Sequence, residues 1–138
     1  MPVVSLRAEY AVKAVLRLAL THGGEPVQAR EIAAYGGIPA KFVEQIMHDL
    51  RAAHLVTSVR GRSGGYVLAR NPEDITFADI VDAAEGSRSA PSAGRQRGAD
   101  ALVAPVWRSV DIAVRDILES VTFADVTANA VRSPMYYI

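Results

Sequence analysis

The strongest constraint on the fold is a change in hydrophobic pattern near residue 55. Before it, apolar residues recur at three- and four-residue spacing, which predicts helices over residues 6–19, 29–35 and 40–53. After it, residues 55–60 and 66–70 are rich in β-branched and aromatic side chains and flank a glycine-rich turn, which predicts a β-hairpin. Three helices followed directly by a hairpin leave few ways to build one domain.

The second and third helices are separated only by a tight turn at Gly36 and Gly37. This is a helix-turn-helix arrangement, and the hairpin behind it makes a winged helix. A further helix is expected over residues 77–85, capped by Thr76. We therefore predict a mainly α-helical fold with a small β-hairpin wing, residues 1–86 forming the winged helix-turn-helix domain. The third helix is expected to bury Phe42, Val43, Ile46, Met47 and Leu50.

The composition of the chain changes after residue 86. Residues 87–100 contain no large apolar side chain and are predicted to form a flexible loop. Residues 101–138 are predicted to form a long dimerisation helix and a C-terminal tail. An apolar stripe along this helix has no evident partner within the chain, so we expect it to pack against its copy in a second subunit. The expected interface residues are Val103, Val106, Val110, Val114, Ile117 and Val121.

Composition excludes several kinds of site. Hydrophobic residues make up 50% of the 138 residues, which is enough for a core, and there is no cysteine. Disulfides, thiolate zinc sites, cysteine-held iron–sulfur clusters and cysteine nucleophiles are therefore excluded. Residues 1–5 show no signal-peptide pattern, and charges interrupt every long apolar stretch, so we expect a cytoplasmic protein without membrane contact.

The charge of the chain is divided unevenly along its length. The formal net charge is zero, but residues 1–70 carry nine Lys and Arg against five Asp and Glu, a charge of +4. Residues 71–138 carry six against ten, a charge of −4. A basic first half can face a polyanion such as DNA, although an excess of this size also arises by chance.

The predicted winged helix suits DNA because its recognition helix fits the major groove and its wing can lay cations along the backbone. Lys41 can contact phosphate or guanine, Glu44 can accept from cytosine, and Gln45 can bond adenine. Arg60 and Arg62 can neutralise phosphates, and the wing glycines allow close backbone approach. The same residues also fit a solvated helix face and a plain hairpin. The DNA-binding candidates are Gln28, Pro39, Ala40, Lys41, Glu44, Gln45, Arg60, Gly61, Arg62, Gly64 and Gly65.

Four segments in this order resemble the winged-helix transcription regulators of the IscR and NsrR type, the Rrf2 family. They are EYAVKA at 9–14, FVEQI at 42–46, LVTSVRG at 55–61 and GGYVLA at 64–69. The resemblance is close over residues 1–86 and looser to about residue 128. It implies homodimeric binding to double-stranded DNA at a palindromic operator, with the long C-terminal helix as the dimer interface.

The chain departs from this family in the loop that follows Glu85 and Gly86. Many members carry three cysteines there and hold an iron–sulfur cluster, whereas this loop has none. The resemblance therefore implies a member without the cluster, with no cofactor and no metal site. Its effector, a small molecule or a protein, is unknown, and we expect it to act as a repressor.

Two other functions were weighed against DNA binding. Residues 61–65 fit Gly-x-Ser-x-Gly, but the hydrolase elbow needs a following helix and a later histidine, and no histidine follows His54. His22, His48 and His54 have no metal-binding spacing, and no acid, base and nucleophile converge, so no enzyme is predicted. The alternative function is a protein-partner-binding signalling module of the same fold with weak DNA affinity.

Overall fold

The computed structural model describes residues 4–86 and 97–132, with side chains as far as residue 130. The predicted loop over residues 87–100 lies mostly outside these residues. Within the described residues, six helices and one two-stranded antiparallel sheet confirm the mainly α-helical prediction. In chain order the elements are α1 (Leu6–Leu20), α2 (Ala29–Gly36), α3 (Ala40–Ala52), β1 (Val56–Val59), β2 (Gly65–Leu68), a 3₁₀ turn (Pro72–Asp74), α4 (Phe77–Glu85), α5 (Ala99–Ser120) and α6 (Phe123–Arg132).

The core lies where α1 meets α2, α3 and α4. The buried face of α1 is built largely of alanines, whose small side chains let the neighbouring helices approach closely. Ile32 of α2, Met47 of α3 and Ile80 of α4 fill the space and have no exposed surface. The hydroxyl of Ser5 accepts the Ala8 N–H at 3.1 Å and so caps α1.

One predicted core residue lies outside the core. Phe42 is 37% exposed, and its ring lies 6.0 Å from that of Tyr10 on α1 and 5.1 Å from the Lys41 ammonium. The prediction that Phe42 faces inward is wrong because Val43, Ile46, Met47 and Leu50 already complete the buried stripe of α3. Phe42 instead lies on the protein surface, where its ring connects the first turn of α3 to α1.

The wing is attached to the helix-turn-helix by a backbone pairing that the sequence pattern did not reveal. Strand β1 pairs antiparallel with β2, with Val56 opposite Leu68 and Val59 opposite Gly65. The Val27 N–H donates to the Tyr66 carbonyl at 3.0 Å, and the Tyr66 N–H donates to the Val27 carbonyl at 2.8 Å. Since Val27 precedes α2 by two residues, this pairing joins the wing directly to the start of α2.

The C-terminal helices are anchored to the winged helix through Phe123. This residue is fully buried and stacks on Phe77 of α4 with ring centroids 4.7 Å apart. The Phe123 N–H donates to the Ile75 carbonyl at 3.1 Å, and the Phe77 N–H donates to the Val121 carbonyl at 3.0 Å. Two backbone bonds and one aromatic stack thus fix the segment between α5 and α6 against the start of α4.

Helix α5 differs from expectation in two respects. It begins at Ala99, two residues before the predicted boundary, because Gly98, at φ +55°, turns the chain into the helix and Asp100 favours its first turn. It also has a partner within the chain, since one face packs on α4, where Arg115 donates to both carboxylate oxygens of Asp82. These bonds raise the pKa of the Arg115 guanidinium, and the Asp82 and Glu119 charges act in the same direction.

Candidate nucleic-acid interface

The exposed face of α3 carries the predicted base-reading residues. Lys41, Glu44 and Gln45 are all exposed, and so are Pro39 and Ala40 at the start of the helix. The opposite face buries Val43, Ile46, Met47 and Leu50, so the polar side chains face away from the core. A helix that is buried on one side and polar on the other can enter the major groove without losing core contacts.

The wing presents its charges at the tip of the hairpin. Arg60, Gly61 and Arg62 lie between β1 and β2 and are exposed. Gln28 is half-buried at the start of α2, and its side chain makes no capping bond there. Strand β2 joins this residue to the wing through the Val27–Tyr66 pairing.

The backbone packing of the wing requires glycine at positions 64 and 65. A Cβ added at Gly64 would lie 2.2 Å from the Val59 carbonyl oxygen, and one added at Gly65 would lie 2.5 Å from the Val27 carbonyl oxygen. Gly65 also has φ +155°, at the edge of the region that favours glycine. The close approach expected of these two glycines is therefore made to neighbouring backbone, which shapes the wing.

We predict that Gly64→Ala will distort the tip of the wing. The new methyl group must displace the backbone of Val59, and we expect the free energy of unfolding to fall by about 1–3 kcal/mol. Chemical denaturation measures this, with Ser63→Ala as the neighbouring exposed control. Equal denaturation midpoints for the two variants would contradict the packing described for Gly64.

Most cations of the winged helix are left available for a ligand. Of the Lys and Arg residues within residues 4–86, only Arg7 and Arg17 form ion pairs, with Asp49 and Glu31 respectively. The other seven cations of this part of the chain make no ion pair with a described residue: Lys13, Arg30, Lys41, Arg51, Arg60, Arg62 and Arg70. The excess positive charge of the first half is thus available to a polyanion.

Four of these seven cations were not among the candidates: Lys13, Arg30, Arg51 and Arg70. Two of the four lie on the helices of the helix-turn-helix. Arg30 is exposed in the first turn of α2, and Arg51 is exposed in the last turn of α3. A signal for Arg51 was present, because it continues the outward helical spacing that starts at Lys41 and Glu44. Arg30 had no comparable signal, since only the non-local pairing of Val27 with Tyr66 shows that the start of α2 is joined to the wing.

The predicted dimer stripe is largely exposed on α5. Val103, Val106, Val110 and Ile117 are all exposed, with Val106 at 60% and Ile117 at 63%, whereas Val114 and Val121 are half-buried within the chain. Leu102 and Trp107 extend the exposed apolar surface. Only Ala104 of this helix is buried, among the residues described. A stripe of this length on a 22-residue helix is far more apolar surface than solvated helices usually show.

The residues present do not fit the iron–sulfur cluster of the family that the sequence resembles. The chain has no cysteine to supply thiolates, and no three histidine, aspartate or glutamate side chains gather into a metal-binding group within residues 4–86 and 97–130. No helix in the described part of the chain is long and apolar enough to cross a membrane.

Comparison with known proteins agrees with the family resemblance seen in the sequence. The sequence model of the family described as "Rrf2: Iron-dependent Transcriptional regulator" matches residues 4–129. An HTH-type transcriptional regulator of Mycobacterium tuberculosis is 38% identical over 132 residues, covering 92% of this chain and 82% of that protein. CymR of Bacillus subtilis is 31% identical over 138 residues, covering 98% and 99%.

Two solved structures of proteins with more than 30% sequence identity to this chain have the same fold. The structure of IscR from T. potens has a TM-score of 0.76 and 35% identity and covers 92% of this chain and 87% of its own. The structure of CymR, the global cysteine regulator of B. subtilis, has a TM-score of 0.76 and 32% identity and covers 94% and 98%.

Proposed function

The chain belongs to the Rrf2 family of DNA-binding transcription regulators, and from that membership we propose that it is a homodimeric, sequence-specific repressor. It acts by occupying a palindromic operator within a promoter, works without an iron–sulfur cluster, and responds to a small-molecule or protein effector. The observation that carries the proposal is the group of seven cations on the winged helix that make no ion pair with a described residue. A regulator of this kind acts where the chromosome lies, which in bacteria is the cytoplasm.

Affinity and specificity are assigned to different residues. Arg60 and Arg62 on the wing and Lys41 on α3 contact phosphates, which supplies affinity that falls steeply with salt. Glu44 and Gln45 on the exposed face of α3 read base edges in the major groove. Dimerisation through α5 places two recognition helices on one duplex, so the two half-sites mirror the two-fold axis.

We predict that Arg60→Ala and Gln45→Ala will have different effects on DNA binding. Arg60→Ala should weaken binding to all sequences alike and reduce the slope of log affinity against log salt. Gln45→Ala should relax the preference at one base position in each half-site, with a loss of roughly 1–3 kcal/mol of discrimination. Both effects are measured by titrating a preferred duplex and its single-base variants at several salt concentrations.

The Gln45 result decides how α3 is docked. If Gln45→Ala leaves every base preference unchanged, α3 does not present this face to the major groove. Asn129→Ala is the control, since Asn129 is an exposed, uncharged polar residue on α6, outside the winged helix-turn-helix domain. It should alter neither base preference nor salt slope substantially.

A further inference from the structure

A groove of about 500 Å³ lies between the C-terminal half of α3 and strand β1. It begins one helical turn beyond Glu44, where His48 continues the exposed face of the recognition helix. It ends at the hydroxyl-bearing residues Thr57 and Ser58 on β1. The complete lining is His48, Arg51, Ala52, His54, Val56, Thr57, Ser58 and Ala69.

The polar groups that line the groove are mostly hydrogen-bond donors. Arg51 supplies a guanidinium, His48 and His54 supply imidazole N–H groups, and Thr57 and Ser58 supply hydroxyls. No aspartate or glutamate lines the groove, and Asp49, the acid nearest along α3, accepts from Arg7 instead. The side chains of Arg51, His48 and His54 form no ion pair or hydrogen bond with any described residue. Such a surface is suited to an oxyanion.

His54 is held in the groove by an unfavourable backbone conformation. The His54 N–H donates to the Arg51 carbonyl at 2.9 Å, and the Leu55 N–H donates to the Leu50 carbonyl at 3.0 Å, so α3 ends in a Schellman motif. His54 is the left-handed residue of that motif, at φ +61°, and it is the one described residue other than glycine with positive φ. Glycine fits this position with the least strain, so the histidine side chain is kept at a cost to folding.

We propose that this groove is a phosphate-binding site, with Arg51 as its charge and His48, His54, Thr57 and Ser58 as further donors. The occupant is a backbone phosphate of the DNA duplex that α3 reads, because the groove continues the exposed face of α3 toward the wing. The inference rests on the proposed function and extends it, since it assigns affinity to the C-terminal half of the recognition helix.

Three variants of the full-length protein test the site. Arg51→Ala should weaken binding to a preferred duplex and to an unrelated duplex alike, roughly tenfold. It should also reduce the slope of log affinity against log salt by about 0.9 for each subunit. Arg108→Ala removes the same charge from an exposed position on α5 and should change neither quantity.

His54→Gly separates binding from folding. Relief of the left-handed strain should raise the Tm by roughly 2–5 °C, while loss of the imidazole weakens both duplexes. The proposal is overturned if Arg51→Ala or His54→Gly binds both duplexes as Arg108→Ala does. If the unaltered protein binds no duplex at all, the proposed function itself has failed.

Titration with inorganic phosphate at constant ionic strength identifies the source of the phosphate. Saturable phosphate binding that Arg51→Ala abolishes, together with an unchanged DNA salt slope in that variant, would mean that the groove holds a free anion. That result would overturn the assignment to the DNA backbone. A reduced salt slope, with or without weak competing phosphate binding, supports the assignment.

Discussion

Replacing Val110 with aspartate is expected to convert the proposed dimer into monomers and to weaken binding to a palindromic duplex roughly 100-fold or more. Val110 is 38% exposed and lies near the middle of the apolar stripe on α5, one turn from Val106. In a two-fold interface each substitution occurs twice, so two carboxylates would be buried close together in apolar surroundings. A monomer binds only one half-site, so it loses the affinity that a dimer gains by binding both half-sites at once.

Ile112→Asp is the matched control for this experiment. Ile112 is 56% exposed on the same helix but lies about 200° around the helix axis from Val110, away from the stripe. The two variants carry the same charge change, and only Val110→Asp should lower the molar mass measured by sedimentation equilibrium. A dimer that survives Val110→Asp, or that Ile112→Asp disrupts equally, would contradict the assigned interface.

Of all the substitutions proposed for this protein, Phe123→Ala is expected to produce the largest loss of stability. The side chain is fully buried and stacks on Phe77, and truncation of a core phenylalanine costs about 3–5 kcal/mol. Domains of this size have a total stability of about 5–15 kcal/mol, so the Tm should fall by roughly 10–20 °C. The loss should also release α5 and α6 from α4, because the stack fixes their attachment.

Thermal unfolding with two probes checks this prediction. Asn129→Ala, an exposed change on the same helix, should shift stability by no more than about 0.5 kcal/mol. If Phe123→Ala unfolds within a few degrees of that control, the stacked pair is not a principal anchor of the C-terminal helices.

The local parts of the fold were predictable because each is determined by nearby residues. Thr76 caps its helix as expected and forms a full capping box with Asp79. The hairpin lies where the β-branched segments predicted it, and α4 has the predicted bounds. Hydrophobic period, caps and glycines carry this information within a few residues.

The features of the fold that could not be predicted from the sequence depend on contacts between residues that are distant along the chain. Nothing near Val27 indicates that its backbone pairs with Tyr66, and nothing near Asp82 indicates that it binds Arg115 on α5. The spacing of Phe42 allows it to face inward, whereas in the structure it is exposed beside Tyr10 of α1, at the edge of the buried stripe of α3. Helical period alone cannot decide which edge of an apolar stripe is covered.

In the candidate DNA interface, too, some features follow from nearby residues and others depend on contacts between distant residues. The residues at the start of α3 and at the wing tip follow from the order of the elements, and they are exposed as a DNA-reading surface requires. Which cations are paired could not be predicted, because Arg7 and Asp49 are 42 residues apart along the chain. The groove at the C-terminal end of α3 likewise depends on how the hairpin packs against that helix.

The most direct test of sequence-specific DNA binding is selection of bound fragments from a genomic DNA library by the purified, metal-free protein, followed by titration of the enriched sequence at several salt concentrations. We expect an enriched palindrome that is bound at least about 1,000-fold more tightly than unrelated DNA, with a steep salt slope. No enrichment, with only weak and salt-sensitive binding to every fragment, would contradict it and would favour a module that binds a protein partner.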